Sequence, residues 1–329
     1  MQLIERITSA KVLPLPWLTV KFQVSRHLVF PDKLHASITD DYYREDLFSL
    51  GIYQRISRTL DVELSRRGYY TIKSIDLVSS DLLLSVKLVD HAASASCLTV
   101  CPRLIGREEL SIPYRQLIGT ALTQRALLSD PFEFRTIREY QGFDNLKAVN
   151  WLATARTGQL KVNVHEYTTS REIRVLLNIE PDGAFYEEML VEEAIRMAAS
   201  LCTYAIEDGI SCSLRSNARD VLTCDAADIP AGQTIQHNDQ IQEQLGRLDL
   251  ALQPDNFAAI LADELNASYS RPVLVLISLN CSPGICDAWQ TLLARGSQGI
   301  WVMPRMTGHQ TRLPEIDGPL HVWEVNHGR

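Results

Sequence analysis

Apolar residues recur along this chain with two different periods, and the change of period divides it. Between residues 8 and 120 the period is mostly two. Leu18, Val20, Phe22 and Val24 alternate with polar positions, and Pro14 and Pro16 mark an edge or the start of that strand. Thr59–Ser65 alternates in the same way, and Tyr69–Asp76 follows after Arg67-Gly68. Leu82–Leu88 and Cys97–Val100 add further strands. Several short strands separated by turn signals predict a β-sandwich.

After residue 170 strands alternate with helices. Ile173–Ile179 is an apolar strand, and Glu187–Glu207 is a helix with Leu190, Ala194, Met197, Ala198, Leu201 and Ala205 on one stripe. Ile210–Leu214 returns to β character, and Ile241–Leu250 and Phe257–Leu265 read as helices. Val273–Ser278 is a buried strand, Asp287–Ala294 a helix, and Ile300–Met303 and His321–Val325 the last strands. This alternation predicts a parallel sheet covered on both faces. The expected fold class is α+β multidomain: an N-terminal β-sandwich over 1–120, a linking segment over 121–170 and an α/β doubly wound domain over 171–329.

The linking segment has the densest mixture of charged, aromatic and turn residues. Phe132, Phe134 and Thr136 alternate with Glu133, Arg135 and Ile137 as an extended start. Gly142 permits a turn, Asp144 suits a helix N-cap, and Asn145–Ala155 places Leu146, Val149 and Ala153 on one helical face. Gly158 supplies the stop, and Leu160, Val162 and Val164 alternate as a strand. Strand, turn, short capped helix and strand follow in that order. The polar residues Arg135, Arg138, Tyr140, Asp144, Lys147, Asn150, Trp151 and Arg156 admit three roles. They form a latch whose guanidinium forks and Asn150 amide bind loops of two domains, with Asn150 and Trp151 at least half buried. Otherwise they form a docking site for an anionic or carboxylate-bearing partner, or an ordinary solvated surface.

Charge sharpens the division. The net charge of −8 argues against indiscriminate nucleic-acid binding. Residues 171–329 hold 11 Arg, no Lys and 22 acidic residues, whereas residues 1–170 carry 21 basic and 18 acidic residues. Two differently charged modules explain this asymmetry. The cysteines at 97, 101, 202, 212, 224, 281 and 286 are odd in number and irregular in spacing, which predicts mostly buried, reduced thiols. The apolar run Pro272–Cys286 is broken by polar residues and is shorter than the roughly 20 residues a bilayer requires. Glu5 and Arg6 interrupt any apolar leader. Phosphate loops, nucleophile elbows and H-E-x-x-H motifs are missing, and Asp40-Asp41-Tyr42-Tyr43 reads as a solvated loop. The expectation is a protein that is not an enzyme and uses no cofactor.

The run FRTIREYQGFDNLKAVNWLATARTGQLKV resembles the signature of the bacterial "domain of unknown function 58" proteins. Phe134, Arg135, Ile137, Arg138, Tyr140, Asp144, Lys147, Asn150, Trp151, Ala155, Arg156, Gly158 and Leu160 carry the match. Gly142-Phe143-Asp144 replaces an adjacent Gly-Asp, Leu152 stands for a frequent Lys, and Thr154 for a frequent Ser. Weaker resemblance covers most of the chain, including Ser65–Asp81.

The resemblance implies a von Willebrand factor type A-like domain at the C-terminus. Such domains hold a divalent cation through Asp-x-Ser-x-Ser after the first strand; the matching positions here are Asn178, Glu180 and Asp182, which predicts no metal. It further implies a membrane anchor ahead of this chain, so that the full-length form sits on the cytoplasmic side of the membrane and this chain is its soluble part. It implies a MoxR-type AAA+ ATPase as partner, with the acidic module meeting a basic docking face. The leading expectation is therefore a non-enzymatic scaffold or adaptor. The alternatives are a ligand- or cation-binding module at the carboxyl end of the parallel sheet, or an undescribed hydrolase.

Overall fold

The computed structural model describes the chain apart from residues 26, 31–35, 39–40, 82–84, 111–113, 115–133, 141–148, 166–171, 182–187, 267–271, 309–312 and 327–329. Side chains are also left out at 36–38, 41–43, 73–74, 95, 134–138 and 163–165. The fold is mixed α and β, and the chain divides into two compact units. One comprises Met1–Arg103, Asp220–Cys224 and Gln242–Asp249; the other comprises Leu104–Arg219, Asp225–Ile241 and Leu250–Arg329.

The first unit carries β1 (Gln2–Thr8), β2 (Leu15–Ser25), β3 (Leu28–Val29), β4 (Ala36–Ile38), β5 (Asp41–Leu50), β6 (Arg55–Asp61), β7 (Glu63–Leu64), β8 (Gly68–Ser80) and β9 (Lys87–Val100). Five of these form an antiparallel sheet in the order β4-β5-β2-β8-β9, and β1-β6 and β3-β7 form two-stranded sheets. The alternation expected of β2 is present: Leu18, Val20, Phe22 and Val24 are all buried. They join Phe30, Phe48, Leu50, Leu60 and Val62 in one core, with Leu3, Ile7 and Ile56 packed against it. The stretch Thr59–Ser65 is divided between β6 and β7. Residues 41–43 are strand rather than loop, because they continue the β5 ladder opposite Ser25, Val24 and Gln23. In that register Arg44 and Asp46 point inward with Phe48 and Leu50, so two ionised residues lie inside an otherwise apolar face.

The rest of the chain supplies β10 (Phe134–Glu139), α1 (Trp151–Thr157), β11 (Lys161–His165), β12 (Glu172–Asn178), α2 (Glu188–Glu207), β13 (Ser211–Asp220), β14 (Ala226–Gly232), α3 (Ile235–Arg247), β15 (Leu248–Asp249), α4 (Phe257–Asn266), β16 (Val273–Ser278), α5 (Pro283–Ala294), β17 (Gly299–Met306) and β18 (Leu320–Val325). A seven-stranded sheet runs β14-β13-β12-β16-β17-β18, with β15 off this path. Neighbours from β13 to β18 are parallel, whereas β14 is antiparallel to β13. The parallel sheet was legible from the strand–helix alternation; the antiparallel edge was not, since β14 carries Pro230 and Gly232 and, apart from Ile229, no residue that favours a strand.

Every residue of β16 is buried, as strands covered on both faces require. Leu176, Leu274, Leu276, Trp301 and Met303 meet Phe257, Leu261, Ile285, Trp289 and Leu292 from α4 and α5. Trp289 and Trp301 pack edge to face with centroids 6.3 Å apart. The opposite register, Val175, Leu177, Val275, Ile277 and Val302, is equally buried, and α2 packs on β12, β16 and β17. Gly299 makes a close approach possible: an added Cβ would lie 2.7 Å from the Leu274 carbonyl oxygen and 2.8 Å from the Trp289 ring.

The thiols depart from expectation. None of the seven is in a disulfide; Cys202, Cys212 and Cys281 are buried, Cys286 is half-buried, and Cys97, Cys101 and Cys224 are exposed. Cys97 sits on the edge strand β9 and Cys224 in a turn at φ 60°, which accounts for their exposure. Among the described residues, no helix is long and apolar enough to cross a membrane.

Candidate functional site

The strand order reverses between β12 and β16, and in open α/β sheets that reversal opens the ligand crevice at the carboxyl ends of the strands. Three polar side chains from three strands are fully buried there: Asn178 ends β12, Ser278 ends β16, and Asn217 lies near the end of β13. Asn178 Nδ2 donates to Ser278 Oγ (3.0 Å), and the Ser278 hydroxyl donates to the Asn280 carbonyl oxygen (2.9 Å). Asn178 Oδ1 accepts from Asn217 Nδ2 (2.8 Å) and from the Glu180 backbone N–H (2.9 Å). The second contact fixes the amide orientation, because only the oxygen can accept. Asn217 Oδ1 accepts from the Ile179 backbone N–H (3.0 Å), while Asn217 Nδ2 also donates to the Asp255 carbonyl oxygen (3.1 Å). Asn280 Oδ1 accepts from the Ser282 backbone N–H (2.8 Å) ahead of α5.

This network contains no ionisable side chain, and its hydrogen bonds tie the loop after β12 to β13, β13 to the segment after β15, and β12 to the end of β16. The Asp255 carboxylate stands outside it, paired with Arg219 at 2.5 Å on a partly exposed rim. A hard cation needs several oxygens converging on one point. Here Asn178 turns an N–H toward Ser278 and spends its oxygen on two donors, so in this arrangement Asn178 offers no oxygen to a cation. Glu180 is half-buried, and Asp182 lies outside the described residues. Among the described residues, no group of three or more His, Cys, Asp or Glu gathers as a metal site. Asn217 was missed by sequence reasoning, since a lone Ser-Asn pair within a strand gives no periodic signal.

The linking segment forms a second candidate. β10 and β11 are antiparallel, and the Tyr140 N–H donates to the Leu160 carbonyl oxygen at 2.9 Å. Val149 bridges Val162, both buried, and the Asn150 N–H donates to Lys161 O (2.8 Å). The helix therefore starts later than the apolar spacing of Asn145–Ala155 suggests: Val149 is spent on the sheet, and α1 runs from Trp151. Its cap is Asn150, not Asp144. Asn150 Oδ1 accepts from the Ala153 N–H (2.9 Å), the usual work of an N-cap side chain. Gly158 ends α1 in the left-handed region at φ 70°, as expected.

The structure corrects the expectation that Trp151 is at least half buried. None of the α1 residues is buried; Trp151 is 68 % exposed and Leu152 67 %. The helix is only two turns long. Arg156 is exposed in its last turn, Tyr140 is half-buried, and Asn150 is half-buried. Lys161 pairs with Glu139 at 3.2 Å. Arg135 and Arg138 belong to β10, but their side chains, like Asp144 and Lys147 entirely, lie outside the described residues. Of the eight signature residues, the structure brings Asn150, Trp151 and Arg156 together on one short helix.

The family model described as "Protein of unknown function DUF58" matches residues 136–323, more than half of the chain. The chain belongs to the DUF58 family. The DUF58 match begins within β10 and ends within β18, so it takes in both candidate sites and leaves out the N-terminal strands β1–β9. A comparison of this DUF58 protein with curated proteins finds no match.

Proposed function

We propose that this DUF58 protein is a non-enzymatic scaffold or adaptor whose signature helix α1 is a docking surface. The observation that carries the reading is the exposure of Trp151 and Leu152 side by side on a helix with no fully buried residue. An exposed large aromatic beside an exposed aliphatic is the composition of an interface anchor. The sheet order β14-β13-β12-β16-β17-β18, parallel except at β14, supports a von Willebrand factor type A-like reading of the C-terminal sheet. The shared core of β1, β6 and the five-stranded sheet supports a β-sandwich. The neutral Asn178–Ser278–Asn217 network supports a sheet end that is structural rather than cation-dependent. The partner in this reading is a MoxR-type AAA+ ATPase, met on the cytoplasmic side of a bacterial membrane by an anchored full-length form.

The test is capture of the purified ATPase by this chain and by the Trp151→Ala/Leu152→Ala double variant. The variant keeps the parent melting temperature, since changes at exposed positions cost within about 0.5 kcal/mol each. Binding drops at least tenfold. Unchanged binding by the variant, or failure of the parent to bind, refutes the reading.

A further inference from the structure

Glu5 lies on β1 opposite Arg58 on β6. Both of its carboxyl oxygens are buried, and neither has a hydrogen-bond partner. Beside it, Arg44 and Asp46 point inward from β5, 2 % and 1 % exposed. Arg44 Nε donates to Asp46 Oδ2 at 2.5 Å, and Arg44 Nη2 and Arg58 Nη1 donate to Asp46 Oδ1 at 3.3 and 2.6 Å. Arg44 also stacks over the Phe30 ring, 5.0 Å from its centroid. Asp46 has therefore taken hydrogen bonds from both guanidinium groups and left Glu5 with none. Among the described residues, the charged groups facing this space are Glu5 from β1, Arg44 and Asp46 from β5, and Arg58 from β6. A buried carboxylate without a donor bears its full desolvation penalty, and a neighbouring carboxylate adds to it.

We propose that Glu5 is a proton-binding site, and that its protonation sets how firmly β1 is held in the N-terminal β unit. A neutral carboxyl sits in this space without an uncompensated charge, whereas an ionised one loosens the strand that carries it. Burial, then Asp46, pushes the Glu5 carboxyl above its ordinary value of 4.5, with Arg44 and Arg58 pulling the other way. The folded state therefore holds this proton more tightly than the unfolded chain does. The stabilisation is complete below 4.5 and is lost as pH rises from there through the raised value. This is opposite in sign to the usual paired carboxylate.

The experiment compares the full chain with Glu5→Gln and Glu5→Met, following amide protection of β1 and the melting temperature between acid and mildly alkaline pH. Taking differences from the parent cancels the titration of groups that do not interact with Glu5. Each unit by which the carboxyl is raised corresponds to about a tenfold change in the opening equilibrium. Both variants are expected to match the parent at the acid end and to become at least several-fold better protected at the alkaline end. Parallel pH profiles in all three proteins overturn the proposal. So does a parent that is better protected than both variants at the alkaline end.

Discussion

Replacing Asn178 tests whether the carboxyl end of the parallel sheet is closed by hydrogen bonds. Asn178→Ala removes three contacts: the donation to Ser278 Oγ and the acceptances from Asn217 Nδ2 and the Glu180 N–H. Asn217 keeps the Asp255 carbonyl and the Ile179 N–H, and Ser278 keeps the Asn280 carbonyl. One N–H of the fully buried Asn217 amide is nevertheless orphaned, and that of Glu180 loses its partner too. An orphaned buried donor costs about 1–3 kcal/mol, so the expected loss is about 3–5 kcal/mol. In a unit of this size each kcal/mol lowers the melting temperature by roughly 2–4 °C, giving a fall of about 10 °C by calorimetry. Asn178→Asp should also destabilise: it keeps both acceptances but turns a carboxylate oxygen toward Ser278 Oγ and buries a charge with no basic partner in the network. A loss below about 1 kcal/mol for the alanine variant refutes the network as a stabilising element. Recovery of the aspartate variant by millimolar Mg²⁺ would mean that the end can open to a cation, and the argument for a closed network would fail.

Two further substitutions probe the same sheet. Gly299→Ala forces a Cβ against the Leu274 carbonyl oxygen and the Trp289 ring, and overpacking of this kind costs about 1–3 kcal/mol. A urea midpoint equal to the parent's contradicts the close approach. Glu264, 9 % exposed, accepts from Arg174 Nη1 at 2.7 and 2.9 Å and from Arg215 Nη1 at 3.1 Å. Glu264→Ala is expected to cost about 3 kcal/mol, the lower end for breaking a buried ion pair, because Arg215 retains Asp263 and Arg174 retains Glu172. The reading fails if chemical denaturation finds less than 1 kcal/mol.

The parts of the fold readable from sequence are those where one physical demand dominates. β16 is covered on both faces, so its residues are apolar up to Ser278, and β12 carries the apolar run Val175–Leu177; α2 buries one stripe and shows it at helical spacing. Gly158 was legible because the left-handed conformation at a helix end favours one residue type. Where two demands compete, the pattern misleads. Arg44 and Asp46 break the alternation of β5 because each neutralises the other inside the core, which only the fold reveals. Val149 fits a helix face and is used by a β-bridge; Asn150 is polar enough for a latch and is used as a cap. The site at the sheet end was half legible. Asn178 and Ser278 occupy recognisable positions at strand ends, but their coupling through Asn217 depends on strand order, and strand order is not written in local periodicity.

The edge strand β14 has a consequence for how copies of this protein behave when crowded together. It runs against the direction of its neighbour, its register is broken by bulges, and Pro230 deprives it of one ladder donor. A fresh strand arriving from another molecule would find this rim interrupted and could not zip along it. Growth by strand addition is thereby discouraged on that flank, and the protein can be held at high local density without seeding fibres there.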